Sequence, residues 1–537
     1  QCTYDEELNA NCNIAYRLTD VRSKSAYGLK FKYQSDSWPA GSPAPDTNWP
    51  KRSTARFFDL SQTYCNPVAT NCDASPAIGS VAYSNPQSNQ VQITDESNGS
   101  WLLTLGGSGL SAIRRPGQAT DTTTVSYTNG RVTSITNNGE TKTYAWSTSG
   151  SNTVLNTSTG AGETGQRISN PAIQQVLVAN DGSIAATNYT YDANGRLTRE
   201  TRPEGDYTNY TLDSRGNVTE LRVVAKPGSG IADIVSTANF DASCLNAVKC
   251  NKPNYTIDPK GNRTDFTYDP THGEVTRVQL PAPSAGGTRP EVNYAYSALY
   301  PSSRDAGGNL VPASQPEYKV TQITACATAA TCSGTADETR ITLAYNTPNL
   351  QLTSMTVASG NGAVSSTTGY TYDSADNLKT IDGPQPGAAD TTTFFYDTYN
   401  RKRGIVGPDP DGAGALQRQA ERYTFDAESR IIRTERGYAS DATDAALNAM
   451  TVTDFSDATY DAKGNLVRAE QKSGATTYSL VQYGYDVDNR LTCAAVRMNP
   501  AVYGSLPADA CVTSTLDTNN GPDRITKTVY DAAGRVL

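Results

Sequence analysis

The residues that could do chemistry are few. His272 is the only histidine in 537 residues, so a Ser–His–Asp arrangement would have to run through it. It lies in YDPTHGEV, at a place where sister segments carry Asn, Lys or Ala, and the expectation is a turn residue. Carboxylates are plentiful, but a glycoside-hydrolysing pair needs two of them facing each other across a cleft. Most of those present recur in one register, which fits turn capping. Asp409-Pro410-Asp411-Gly412 and Asp517-Thr518-Asn519-Asn520-Gly521 offer closely spaced oxygens to calcium, yet neither completes a twelve-residue loop ending in Glu. Gly106 to Gly109 (GGSG) follows the apolar run WLLTL but lacks the Lys-Ser/Thr of a phosphate-binding loop, and reads as a glycine turn. No catalytic, cofactor or metal residue is assigned.

The ten cysteines fall into close neighbours: Cys2 with Cys12, Cys65 with Cys72, Cys244 with Cys250, Cys326 with Cys332, and Cys493 with Cys511. Five local pairs with none left over suggest disulfide clips formed in an oxidising compartment. Zinc would bring CxxC spacings or histidine partners, and neither is present. A net charge of −9 without a Lys/Arg run argues against a nucleic-acid partner. No apolar stretch approaches the ~18 to 20 residues that span a bilayer. The chain begins at Gln1 with no charged or apolar leader, and the expectation is a mature product or a piece of a longer protein. Sequons such as Asn188-Tyr189-Thr190 follow from turns rich in Asn and Thr.

What must position any of these residues is a repeat. Tyr outnumbers Phe by 31 to 9, and short runs of Thr, Tyr and Val alternate with Gly, Asn, Asp and Pro, so an all-β chain of short strands and tight turns is expected. Tyr-Asp occurs eight times, where random order gives about two. The motif reads YDANGRLT at Tyr191, YDAKGNLV at Tyr460, YDVDNRLT at Tyr485 and YDAAGRVL at Tyr530. Looser copies start at Tyr127, Leu212, Ile257, Tyr268, Tyr372, Tyr396 and Phe425.

Each motif residue has a mechanical reason. Alternation in Asn188-Tyr189-Thr190-Tyr191 sends tyrosines to one strand face. The following Asp (Asp192, Asp269, Asp373, Asp397, Asp461, Asp486, Asp531) should accept hydrogen bonds from N–H groups two or three residues on. Gly195, Gly216, Gly261, Gly464 and Gly534 then supply a positive φ, with Asn377, Asn400 and Asn489 as substitutes. Arg196 or its counterpart starts the return strand, so one motif is one hairpin. Stacked hairpins cover each other's edges, and their tyrosines form a ladder whose hydroxyls reach water or a neighbour.

These motifs resemble the YD repeat of bacterial RHS proteins, toxin-complex C components and animal teneurins. The clearest matches run from about Thr122 to Leu537, with echoes before that in TYDEELNANCNIAYRLTDV. The resemblance implies hairpins wound into a spiral sheet, a hollow barrel or part of a cocoon-like shell that often encloses a C-terminal toxin. The conserved core and variable tail that follow the repeats in toxin members have no counterpart here, so no catalytic residue is carried over. The expected layout is an N-terminal β region with degenerate repeats over 1–115 and a shell over 116–537. Inserted loops are placed at about 300–339, poor in periodicity, and 440–450, a short helix capped by Ser or Asp. The expected role is a structural segment of an exported protein, periplasmic, surface-bound or extracellular, partnered by the rest of its own polypeptide, including a toxin or core domain. A surface adhesin or carbohydrate-binding module, with a glycan or protein partner, is the alternative.

Overall fold

The structure is a computed structural model. It describes backbone and side chains of residues 27, 29–33, 52–62, 77–137, 139, 141–146 and 187–537, apart from 285, 327, 329–330, 388, 413, 487–488, 517–518, 531–535 and 537. For strands lying outside those residues only the backbone pairing is described.

One antiparallel sheet runs from strand Asp20–Arg22 to strand Arg524–Lys527, each strand pairing with the next in sequence. Only the hairpins Cys2–Tyr4/Ala10–Cys12 and Ser302–Arg304/Leu310–Pro312 stand apart among the described residues. The ladder crosses residue 115 without a break, since Gly109–Arg114 pairs with Thr123–Thr128. Among the described residues no ladder joins the first strand to the last. Winding instead brings residues 242 to 348 positions apart into contact, through side chains and through one backbone bond from the Arg304 N–H to the Leu60 carbonyl at 2.7 Å. Asn400 donates to the Ile78 carbonyl at 2.6 Å, Arg115 to the Lys463 carbonyl at 3.0 Å, and Arg304 to the Gln62 carbonyl at 3.0 Å. The chain is thus a wound sheet whose later turns abut earlier strands.

Few side chains are fully buried. The main apolar cluster gathers Val406, Ala420, Ala439, Ala446, Leu447 and Met450 where the second expected insertion lies on the sheet. That insertion is a helix of five residues, Asp444–Asn448, capped by Thr443 and not by Ser440 or an Asp. Thr443 Oγ1 accepts from the Ala446 N–H at 3.2 Å, while the Asp441 carboxylate is turned onto the Thr443 N–H. The first expected insertion is narrower than its composition suggests. Glu317–Cys326 is a ten-residue strand inside the main sheet, leaving 300–316 and 327–337 as the excursions. Its alternation was hidden because the register slips at Thr321, which has no partner between Ala295 and Tyr296, so the period of two breaks in mid-strand.

A second covering segment folds back near the end. Cys493 and Cys511 are joined, and Arg497 is buried in an ion pair with Asp523 at 2.8 Å. The Arg497 guanidinium also donates to Gln482 and to the Val512 and Ala510 carbonyls. With these acceptors around it, the buried charge is tolerated.

Candidate functional site: clamped turns and their joints

The motif turns share one geometry. In YDANGR the Asp192 N–H donates to the Arg196 carbonyl at 2.9 Å and the Gly195 N–H to the Asp192 carbonyl at 3.0 Å. Asp192 Oδ1 accepts from the Asn194 and Arg196 N–H groups, each at 2.9 Å, and Oδ2 from Arg196 Nε at 2.7 Å. The same clamp recurs at Asp213, Asp258, Asp373, Asp397, Asp426 and Asp461. At Asp486 the Arg490 N–H and side chain fill the same places. The carboxylate therefore caps N–H groups two and four residues on, not two and three. The shorter reach holds only at Asp269, whose turn contains one extra residue.

Asn and Arg are interchangeable after the turn because either can return a side-chain N–H to the carboxylate: Arg401 does so at 2.7 Å and Asn465 at 3.0 Å. These bonds favour the ionised acid. The Arg196 N–H holds Asp192 below the usual carboxylate range, the Asn262 side chain does so for Asp258, and the Asn309 N–H for Asp305.

Gly195, Gly216, Gly261 and Gly464 take the left-handed conformation, as do Asn400 and Asn489. Asn377 does not. In YDSADN the positive φ falls on Asp376, and Asn377 sits one place later, clamping Asp373. Asp531 and Gly534 lie outside the described residues.

The tyrosines are joints between repeats. Tyr372, Tyr396, Tyr485 and Tyr530 donate their hydroxyls at 2.9 to 3.0 Å to the carbonyls of Leu352, Leu378, Leu466 and Leu491, each in the preceding hairpin. Tyr268 donates to Pro253 and Tyr460 to Ile431 in the same manner. Of the expected ladder, what these bonds show is that the hydroxyls reach a neighbour, and that the partners are backbone carbonyls. Burial raises the pKa of Tyr372, Tyr396 and Tyr485, so the phenols remain donors. At Tyr372, Tyr460 and Tyr485 the strand register slips by one residue just before the tyrosine, as between Thr371 and Tyr372, a bulge that increases local twist.

The residue after the turn makes a second joint. Arg401 stacks on Phe425, Arg430 on Tyr460 and Arg490 on Tyr530, with 4.5 to 4.9 Å to the ring centroids. Where Asn stands instead, Asn377 bonds to Asn400 and Asn465 to Asn489, each at 3.1 Å.

Sequence reasoning missed other turns of this kind among the described residues. Asp305-Ala306-Gly307-Gly308-Asn309 has the full clamp and was hidden by the missing Tyr. Arg202-Pro203-Glu204-Gly205-Asp206 reverses the charges, with Arg202 donating to Asp206 at 2.7 Å. Asn346 caps a longer turn closed by Gln351.

The remaining candidates resolve into structure. His272 is stacked on Tyr318 and tilted against Tyr296, at 4.3 and 4.9 Å, in its turn. Asp409 pairs with Arg418, and Asp411 accepts from the Leu416 N–H. Gly106 and Gly109 close a hairpin, while Asp517 lies outside the described residues. Disulfides join Cys244 to Cys250, Cys326 to Cys332 and Cys493 to Cys511. Cys2 and Cys12 stand opposite each other in a ladder, with side chains outside the described residues, as Cys65 and Cys72 are entirely. No described helix is long and apolar enough to cross a membrane.

Clamped hairpins, each jointed to the one before, define a class of repeat sheet. Residues 191–225 match the family model described as RHS Repeat, so the hairpins of this stretch are an RHS repeat. It is 12% identical to a chain in the crystal structure of TcdB2-TccC3, with a TM-score of 0.37, covering 100% of this chain and 31% of that one. Against the Tc holotoxin pore of Photorhabdus luminescens the identity is 12%, the TM-score 0.36 and the coverage 95% of this chain and 26% of that one. The chain thus spans about a third or less of the chains it resembles. No curated protein matches it.

Proposed function

We propose that this chain is a wall segment of a large exported RHS-type shell, which encloses or presents a C-terminal effector encoded beyond it. The observation that carries the reading is the use of the motif residues. Asp, Arg or Asn, and Tyr of several copies are engaged by their own turn or by the adjacent hairpin, as at Asp397, Arg401 and Tyr396. A surface evolved to bind a glycan would leave such rings and acids open to it. Export is supported by the three disulfides. The wall includes the region 1–115 as well as the shell 116–537.

The test is limited proteolysis of the full reading frame, including whatever follows Leu537. An enclosed effector resists protease until the shell is unfolded. Cleavage of the downstream segment as fast as in its isolated form would refute enclosure. Specific retention of the chain on a glycan array would favour the adhesin.

A further inference from the structure

Where one turn of the sheet abuts another, two carboxyls meet. Asp59, at the end of strand Arg52–Asp59, is 2% exposed, and Asp376 comes from a motif turn 317 residues later in the chain. Asn349, 5% exposed, lies between them: its Nδ2 reaches Asp376 Oδ1 at 3.0 Å, Asp59 Oδ2 at 3.3 Å and the Tyr27 hydroxyl at 3.2 Å. Gln351 Nε2 donates to Asp376 Oδ1 at 2.9 Å, and the Ser61 N–H to Asp59 Oδ1 at 2.8 Å.

The facing groups can be named element by element. Strand Tyr27–Tyr33 contributes Tyr27, the segment after strand Arg52–Asp59 contributes Ser61, and the 346–351 turn contributes Asn349 and Gln351. Asp373, in the turn of Asp376, is occupied by the Ala375 and Asn377 N–H groups. Arg304, whose N–H reaches the Leu60 carbonyl, spends its guanidinium on the Gln62 and Gly308 carbonyls. Among the described residues neither Asp59 nor Asp376 is paired with Lys, Arg or His. Asp376 Oδ2 is buried, and both the Asp59 carboxyl and the Tyr27 hydroxyl lie within bonding reach of the Asp376 carboxyl. Two ionised carboxylates have no proton to share, so what the contact lacks is one proton.

We propose that Asp59 and Asp376 form an acid-closed latch between two turns of the sheet, joined by one shared proton and pushed apart when it is lost. Burial, and then the charge of Asp59, push Asp376 up to about 6. Burial likewise raises Tyr27, which stays a neutral phenol throughout. In an unfolded chain an aspartate titrates near ~3.9. Between those values the closed seam holds a proton that the open chain has released, so closure strengthens as pH falls through about 6 and is complete below about 4. The other seam contacts, Asn400 to Ile78 and Arg115 to Lys463, end on backbone carbonyls.

The test is hydrogen exchange of the full chain near pH 5 and pH 7.5, corrected for intrinsic rates, in wild type, Asp376→Asn and Asp376→Gly. Both replacements suit a positive φ. In wild type, protection of peptides covering 58–62 and 349–352 should fall roughly tenfold from the acid to the neutral condition, because only about one unit of the shift is expressed between pH 5 and pH 7.5. In both variants the fall should vanish, while peptides covering 480–485 respond alike in all three proteins. An unchanged pH response in the variants, or none in wild type, overturns the latch. So does restoration of neutral-pH protection by millimolar calcium in wild type alone, which would make the pair a cation site.

Discussion

Asp397 tests the turn clamp most directly, because its two kinds of contact can be separated by substitution. Its Oδ1 accepts from the Tyr399 and Arg401 N–H groups, both at 2.9 Å, and its Oδ2 meets Arg401 at 2.7 Å. The ion pair is about one-fifth exposed on both sides. At roughly 1 kcal/mol for each backbone bond and about 0.5 to 1 kcal/mol for a partly exposed pair, Asp397→Ala should weaken the turn by about 2 to 3 kcal/mol. Asp397→Asn keeps an acceptor for both N–H groups and loses only the charge, so it should cost about 0.5 to 1 kcal/mol. A wound array of this length does not unfold in one step, and a global midpoint is the wrong reading. Hydrogen exchange of the peptide 394–406 measures local opening, which should accelerate roughly 30- to 150-fold for Ala and less than tenfold for Asn. Equal effects of the two substitutions would show that the backbone bonds do not hold the turn. Acceleration below threefold for Ala would show that the sheet positions it without the clamp.

The other expectations concern joints and covers. Tyr372→Phe removes the donor to the Leu352 carbonyl and should cost about 1 kcal/mol, read as faster exchange in 352–357 as well as at the substituted strand. Gly404→Ala would place a methyl 2.5 Å from Leu447 Cδ2 and 2.8 Å from the Glu421 carbonyl oxygen, so the short helix should lift from the sheet at a cost of about 1 to 3 kcal/mol, visible as proteolysis within 440–450. Reduction of Cys493–Cys511, which closes a loop of separation 18, should loosen the cover over Arg497 by about 3 kcal/mol, detected by protease cutting between 498 and 523. Because the clamp bonds depress Asp192, Asp258 and Asp305, the turns keep that stabilisation above ~3.9 and lose it as pH falls further, so exchange at 192–196, 258–262 and 305–309 should rise in strong acid.

The hairpins were legible in the sequence because everything that makes one is local. Asp397, Asn400 and Arg401 lie within five residues, and their types alone announce an acceptor, a left-handed backbone and a returning donor. The error at Asn377 came from the same logic, since Asn is the better known left-handed residue and Asp376 takes that place only because the motif register demands it. Joints were half legible. A tyrosine at fixed register predicts a ladder, but the carbonyl of Leu378 as its partner depends on a bulge that no residue type announces. The seam was not legible. Tyr27, Asp59 and Asn349 belong to no motif, and partners 290 to 322 residues apart leave no mark in spacing.

These differences follow from where the stability of a wall resides. A compact protein of 57.2 kDa exposes about 19,000 Å² by the usual scaling of area with mass, whereas this chain exposes 29539 Å². The apolar cluster around Leu447 is small, so burial cannot hold the sheet as it holds a globular core. Cohesion must come instead from many contacts of about 1 kcal/mol each, repeated at every hairpin: a clamp within the turn, a hydroxyl to the preceding carbonyl, a guanidinium on the next ring. Such an array tolerates the loss of a single joint, because neighbouring repeats remain paired on both sides. It does not tolerate loss of a seam in the same way. The seam has few contacts among the described residues and no repetition behind it, so opening there separates whole turns while leaving every hairpin folded.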